Sequence, residues 1–524
     1  QHMAGLIDAV PDGGIGYGIL RYLKGSFDVE HPQLVFNYLG QSAASGEGWR
    51  LAHGEAGQSR HPLSKRRQVI DVNAQGFDDR LEVTFQTSPS LDPDVLASAF
   101  EQAMADLFAG LNGETLSVPA APMQTEFFDH CERAPEIPLY VNQTVVEIKV
   151  GLTEATFRAA WQDLVDREEI LRTGFARSPE GEVFQKISPE AVIEIEFLDW
   201  QNANADTALD EFLPKDRARA FDLGEPPLMR LTVAKLGEDR FWVVWTRHHL
   251  LTDAWSTGQM FSDFAVLYLA RSGLGEMPTA RPKYRDFLPL LTDPGTDASA
   301  DYWRETLNGA QLRMLQPNSG AEPAEFHQSD RSLGQALSNR LRAHASAKSV
   351  TLNTLIQTGW AIALSRYAKT SNVTFGVTSF GPRESSSEAR RVIGPFLNVT
   401  PLRLQLPEKG ILDHVKQAGL DLLAHNLMPL RRIKKITGVP VDQDLFDTMI
   451  IFENDALQSG GALPGGIEMT PVAAYERWIY PIVLIVLPHD EIVVRYGVDL
   501  DAIGQDRADE LFEGFVEALN WLVS

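Results

Sequence analysis

One cysteine in 524 residues, Cys131, leaves no partner for an internal disulfide and too few thiols for a Cys-rich metal cluster. A reducing cytoplasm is therefore the expected compartment, and no metal site is expected. Long apolar runs are also scarce. The longest, Ile482 to Leu487 between Pro481 and Pro488, falls far short of the ~20 residues a membrane-spanning helix needs. No secretory signal is visible, and no membrane partner is expected. Basic charge is in short supply, with 47 Lys and Arg against 71 Asp and Glu, a net charge of −24. Such a chain repels phosphate backbones, so nucleic acid is not an expected partner. Short-period repeats and low-complexity tracts are missing as well.

What is present is apolar patterning, in amounts that bury large cores and fill two or three domain-sized units. Gln1-His2-Met3 reads as a cloning scar, with native sequence from about Ala4 and a piece of something longer implied. Leu81, Val83 and Phe85 alternate as in a strand. A helix follows with Asp92 as cap and Pro93 in its first turn, carrying Leu96, Phe100, Met104 and Leu107 on one stripe. It ends near Gly110 to Gly113. The small-residue and proline content of Gly113 to Pro122 reads as a linker. A second soft boundary lies at Thr292 to Ser299. These seams give four segments: 4–112, a linker at 113–122, 123–293 and 294–524. Strands and long amphipathic helices are mixed throughout, which predicts an α/β or α+β class.

Arg240 to Leu251 reads as a strand buried on both faces, and two histidines at its end are out of place there. Successive strand side chains point to opposite faces, so His248 and His249 cannot both face one cavity. The next helix is signalled by Ser256 and Gln259, read as a capping box, and by Met260, Phe264 and Leu267 at helical spacing. Asp253 then falls in the strand-to-helix turn, where a carboxylate can bond backbone amides or a cation. Alone, a histidine pair at a strand end is more often structural than catalytic. Its surroundings decide.

Around His248-His-Leu-Leu-Thr-Asp253 stand further segments in a fixed order. Upstream are Ala121-Pro-Met-Gln124 with Tyr140-Val-Asn-Gln143, then Arg167-Glu-Glu-Ile-Leu-Arg-Thr-Gly-Phe175, then Phe221-Asp-Leu with Pro227-Leu-Met-Arg230. Downstream come Tyr284-Arg-Asp-Phe287, Ile393-Gly-Pro-Phe-Leu-Asn-Val-Thr-Pro-Leu-Arg403 and Phe446 to Asn454. Together, from Ala121 to Ser524, they resemble the condensation domains of nonribosomal peptide synthetases. That resemblance implies two lobes, each like chloramphenicol acetyltransferase, in a V-shaped pseudo-dimer with a central tunnel. It implies an upstream donor carrier and a downstream acceptor carrier, which supply phosphopantetheine arms; no covalently bound cofactor is expected. Epimerization and adenylation domains would be neighbours. His249 is the expected reactive residue, because an imidazole of reference pKa ~6.5 can accept a proton or hold an amine near neutral pH. His248 is expected to pack beneath it, with Asp253 in support and Arg172 as its salt-bridge partner. Trp255, Ser256, Asn398 and Ser379 are the expected tunnel residues.

The pattern departs from the family at three places: Ala254 for the glycine after the motif aspartate, Glu168 for a histidine, and Asn-Val-Thr-Pro in the late motif. These changes keep open a domain that also dehydrates a Ser or Thr residue, or a non-catalytic recruitment platform. Near the start, Gly13 to Tyr22 and Phe36-Asn-Tyr-Leu-Gly-Gln41 resemble the closing motifs of an epimerization domain. Gly14-Ile-Gly16-Tyr-Gly18 lacks the third glycine of a dinucleotide loop. By that resemblance the donor ends in a D-residue and the acceptor is an L-aminoacyl thioester.

Overall fold

The computed structural model describes residues 33–42, 45–46, 49–50, 69–77, 80–88, 91–112, 114–291, 297–315, 326–440, 443–453 and 461–524. Two compact units divide between Asn112 and Gly113. In the first, β1 (Leu34–Ser42) runs parallel to β2 (Ile70–Phe77), which pairs antiparallel with β3 (Arg80–Thr87). The expected helix is α1 (Pro93–Asn112), with Asp92 Oδ1 accepting from Asp94 N at 3.0 Å. Phe36 to Gln41 forms part of β1, whereas Gly13 to Tyr22 lies outside the described residues.

The second unit opens with a correction. Residues 113–122 are not a free linker: β4 (Leu116–Pro119) is a strand whose Leu116 and Val118 are buried, and α2 (Pro122–Arg133) follows directly. Small residues and proline suggested a linker, but alternating apolar positions inside that stretch were enough to pair it with a hairpin. That hairpin consists of β6 (Thr173–Arg177) and β7 (Val183–Ile187); β4 adds antiparallel to β7.

The first lobe is built on a six-stranded sheet. Its first strands in chain order are β5 (Val141–Lys149), β8 (Glu194–Asp199), β9 (Met229–Lys235) and β10 (Arg240–His248). Helices α3 (Glu154–Arg167) and α5 (Ala254–Arg271) cover one face, and α4 (Ala205–Arg217) lies between β8 and β9 in sequence. Phe157, Ala160, Trp161 and Leu164 bury one stripe of α3; Met260, Phe264 and Leu267, the residues read as helical, bury one stripe of α5. Trp161 stacks on Phe264 at 5.2 Å, and Trp245 of β10 meets Phe261 edge-on at 5.7 Å. Full burial of each such side chain contributes roughly 1.5–3 kcal/mol. This is the packing that holds β10 rigid behind the histidine pair.

The second lobe contains α6 (Asp297–Thr306), β11 (Phe326–Ser332), α7 (Gln335–Lys348), α8 (Leu352–Ala368), β12 (Asn372–Ser379), β13 (Asn398–Gln405), α9 (Ile411–Leu423), α10 (Leu430–Thr437) and β14 (Thr448–Phe452). After β15 (Gly461–Leu463) and β16 (Ile467–Tyr475) come β17 (Ile482–Leu487), β18 (Val493–Asp499) and α11 (Gln505–Leu522). Its sheet order is β11-β18-β17-β14-β12-β13. Gly359 of α8 allows close approach to α11: a Cβ there would fall within 3 Å of Leu519 Cδ2.

The boundary at 294 needs a second correction. Strands β15 and β16 belong to the first lobe's sheet, whose order is β8-β9-β10-β5-β16-β15. The chain therefore crosses back from the second lobe and pairs β16 with β5, with an irregularity between Pro471 and Ala473 where proline offers no N–H. This return brings residues 476–478 beside the histidine motif.

Candidate active site

β10 is buried from Phe241 to His248 and stops there, three residues short of the expected Leu251. A turn ends it: Leu251 N donates to His248 O at 3.1 Å, and Leu250 N to His248 Nδ1 at 3.2 Å. The motif backbone is fixed from two sides. His249 N donates to Tyr140 O at 2.8 Å, and Gln124 Nε2 donates to Leu250 O at 2.9 Å. Tyr140 occupies the left-handed region at φ 59°, a conformation that costs a bulky residue on the order of 1–3 kcal/mol and persists only where packing enforces it. Its ring lies against Phe127 at 4.3 Å, and its hydroxyl meets His130 Nδ1 at 2.5 Å.

The two histidines face different cavities, as strand alternation predicts. His248 lines a space of about 440 Å³ beside Cys131 and Phe128, with its Nε2 3.6 Å from Cys131 Sγ. Burial, with His249 adding, pushes its imidazole down to about 3, so it stays neutral. Burial likewise pushes the Cys131 thiol up to about 12. His249 lines a cavity of about 500 Å³ between the sheets of the two lobes, walled by residues of β5, β10, β16, β11 and β18. Phe127 and Trp478 hold its ring, each with centroids 5.1 Å away. Its Nε2 lies 3.1 Å from Glu476 Oε1, while its buried Nδ1 meets no partner among the described residues. Trp478 Nε1 also donates to Glu476 Oε1, at 2.8 Å. Burial opposes ionisation of Glu476, but the His249 hydrogen bond and the charges of Arg247 and Arg495 hold its carboxyl below the usual carboxylate range. In a neutral ring that carboxylate draws the proton to Nε2 and leaves the lone pair on Nδ1.

Asp253 is buried at the edge of the same cavity. It caps α5 by accepting from Ser256 N at 3.0 Å, so the cap is Asp253 and not the expected Ser256–Gln259 box. Its partner is Arg383, whose Nη1 reaches Oδ1 at 2.6 Å and Oδ2 at 2.5 Å; Phe396 N donates to Oδ2 at 2.9 Å. Burial raises the Asp253 carboxyl, yet Arg383 and these donors outweigh it and keep the group below its ordinary value. The expected Arg172 pair is thus incorrect. Arg172 ends a short 3-10 turn leading into β6, and its guanidinium donates to the Ser188 carbonyl.

The other expected residues divide. Ala254 lines the His249 cavity. Trp255 and Ser256 instead fasten the lobes together, Trp255 Nε1 donating to Arg390 O at 3.0 Å and Ser256 Oγ to Gly394 O at 3.0 Å. Ser379 and Asn398 are paired across β12 and β13 and turn away from His249: Ser379 lines a separate cavity of about 480 Å³, and Asn398 Nδ2 donates to Asn426 O. Their neighbours Phe380, just after β12, and Leu397, just before β13, line the His249 cavity. Sequence reasoning missed Arg383 and Glu476. For Arg383 a signal existed, a cation in Gly381-Pro382-Arg383 just after a buried strand; for Glu476 none did, since only the return of β16 places it. Among the described residues no cluster of His, Cys, Asp and Glu fits a metal ion, and no helix is long and apolar enough to cross a membrane.

Comparison with known proteins agrees with this architecture. Residues 115–477 match the model of the condensation domain family. The chain is 29% identical over 566 aligned residues to a linear gramicidin synthase from Brevibacillus parabrevis, covering 96% of this chain and 11% of that relative's length. A four-domain nonribosomal peptide synthetase bound to AMP and glycine shares the fold with TM-score 0.67 at 18% identity, over 78% of this chain and 33% of that one. The first condensation domain of the calcium-dependent antibiotic synthetase, solved with a substrate analogue, does so with TM-score 0.66 at 17% identity, over 78% and 96%. With a mixed α/β fold of two acetyltransferase-like lobes and a family match over residues 115–477, most of its length, the chain belongs to the condensation domain family.

Proposed function

We propose that this domain joins a donor acyl thioester on one carrier to the amine of an acceptor aminoacyl thioester on a second, with His249 as the group that takes up the amine's proton. The observation that carries this reading is the His249 imidazole on the wall of the cavity between the lobes. The arms entering that cavity are phosphopantetheine thioesters held by separate carriers. In the reaction the acceptor nitrogen sheds protons as its lone pair attacks the thioester carbon. A C–N bond forms, the C–S bond breaks, and the thiolate leaves protonated; an ammonium acceptor therefore yields amide, thiol and one released proton. His248 takes no part, because burial keeps it neutral on the far side of β10. Asp253 holds the loop through Arg383.

Two further features enter the proposal from the sequence. The epimerization-like motifs before residue 113 favour a donor ending in a D-residue and an acceptor of L-configuration, with epimerization and adenylation domains as neighbours. Ala254 fits catalysis better than a recruiting platform, since it begins α5 without the positive φ that would demand glycine. The test loads donor and acceptor carriers, with D- and L-ending donors, and follows product by mass spectrometry for wild type and His249→Ala. Product from wild type with the D-ending donor and none from His249→Ala is the expected result. Equal product from both proteins removes His249 from the chemistry, and preference for the L-ending donor overturns the stereochemical assignment.

A further inference from the structure

We infer that Glu476 is the anchor for the acceptor's α-ammonium group, holding it against His249; this rests on the reading of His249 given above.

The cavity wall supports the assignment through its charges. Asp253 is neutralised by Arg383, and Asp330 is paired with Arg495 at 2.8 Å. Arg247 of β10 directs its three nitrogens to the hydroxyls of Thr252, Thr144 and Thr257, at 3.1, 2.9 and 3.0 Å. His489, Glu453 and Tyr475, whose ring lies against Arg217, complete the titratable lining. Of the cavity's carboxylates, Glu476 is the one hydrogen-bonded to the reactive imidazole. Its position is set from both lobes: β16 pairs with β5, and Gln328 of β11 accepts from Glu476 N at 3.0 Å while donating to Ala474 O at 2.8 Å.

The donors and acceptors point to a cation. Glu476 Oε1 accepts from His249 Nε2 and Trp478 Nε1, so its oxygen is turned toward the imidazole. An aminoacyl thioester brings a primary ammonium with three N–H donors. Seated between Nε2 and Oε1, it displaces the Nε2–H···Oε1 contact; the ring proton then resides on Nδ1, Nε2 becomes the acceptor, and the ammonium donates one N–H to Nε2 and one to Oε1, replacing a single contact with two. A carboxylate kept ionised by its surroundings offsets the desolvation of the ammonium, which a bare imidazole cannot do. The ammonium then gives its proton to His249 and the neutral amine, still held by Glu476, faces the thioester. Glu476 is thus a substrate-binding residue.

The experiment is a steady-state condensation assay on the full chain with loaded carriers, comparing wild type, Glu476→Gln, Glu476→Asp and His249→Ala. Thermal unfolding of each variant verifies folding. Glu476→Gln keeps size and an acceptor oxygen but loses the charge. The expected result is a KM for the acceptor carrier raised about tenfold or more, equivalent to ~1.4 kcal/mol, with donor KM unchanged and partial recovery in Glu476→Asp. With an α-hydroxyacyl acceptor, which carries no ammonium, wild type and Glu476→Gln should be equal. An acceptor KM within twofold of wild type in Glu476→Gln, a gain in rate, or equal losses with amine and hydroxyl acceptors would each overturn the assignment. If His249→Ala is inactive while Glu476→Gln matches wild type, only the anchor fails. Full activity of His249→Ala removes the underlying reading and the anchor with it.

Discussion

Arg383 lies 130 residues from Asp253 in the chain, yet its guanidinium sits on both oxygens of that carboxylate, fully inside the junction of the two lobes. The same guanidinium donates to Val392 O at 2.8 Å and Gly394 O at 3.0 Å and lies over the Phe396 ring at 4.5 Å. Removing one partner of such a buried pair leaves an uncompensated charge and costs about 3–5 kcal/mol. Asp253→Asn and Arg383→Met should each destabilise by that order, and the double variant by much less than their sum. Asp253→Asn combined with Arg172→Met should be additive. Thermal unfolding of the three single variants and the two doubles checks this; coupling to Arg172 with none to Arg383 would refute the pairing.

What was legible in the sequence was whatever periodicity or local order could encode. β10 and its two-faced histidine pair, the buried stripe of α5 and Asp253 in its turn all follow from short-range pattern. The misread parts depend on long-range closure. β4 looked like a linker because its partner, β7, lies more than sixty residues onward. β16 looked like part of the second lobe because nothing local says that it crosses to β5, and Glu476 was hidden for the same reason. Ser379 and Asn398 were misplaced by one strand step, the smallest error that turns a side chain to the opposite face. For Asp253 the resemblance pointed to Arg172, and no local spacing ties the carboxylate to Arg383, 130 residues onward.

Glu168, at the end of α3, gives a pH-dependent prediction. Burial pushes its carboxyl up to about 7, and the nearby Arg281 does not reverse this because its guanidinium is already paired with Asp263. A carboxyl whose folded value lies above its unfolded one binds its proton more tightly in the folded state. Its contribution is therefore fully present below about pH 4.5 and is lost as pH rises through 7, on the order of 3 kcal/mol in all. Glu168→Gln, which stays neutral, should match wild type near pH 4.5 and exceed it in unfolding midpoint at pH 8. A difference that is the same at both pH values would show that Glu168 titrates normally.

Gly394 accounts for how the second lobe's loop docks on α5. At φ +156° its missing side chain leaves room for Tyr284; a Cβ would fall within 3 Å of three atoms of that ring. Tyr284 in turn donates its hydroxyl to Pro395 O at 2.7 Å. Gly394→Ala should force the ring aside, at roughly 1–3 kcal/mol for overpacking, and loosen the loop that holds Ser256 and Arg383. Lower stability together with lower condensation rate is expected. A variant with wild-type stability and rate would mean that the loop docks independently of Tyr284.

Ala254 is the departure from the family pattern closest to the chemistry, since it lines the His249 cavity immediately after Asp253. Two effects compete there. An added methyl narrows the cavity, while alanine favours the first turn of α5 by up to about 1 kcal/mol over glycine. The backbone decides between them: Ala254 does not adopt a positive φ, so the alanine is accommodated without strain. In a cavity of about 500 Å³, one methyl is a small fraction of the space offered to a flexible thioester arm. Ala254→Gly should therefore lower the unfolding midpoint slightly and change kcat/KM for either carrier by less than about tenfold, ~1.4 kcal/mol. Rates with D- and L-ending donors measured on both proteins provide the check. A rise of a hundredfold or more in Ala254→Gly would mean that the alanine blocks condensation and that the domain serves an altered reaction.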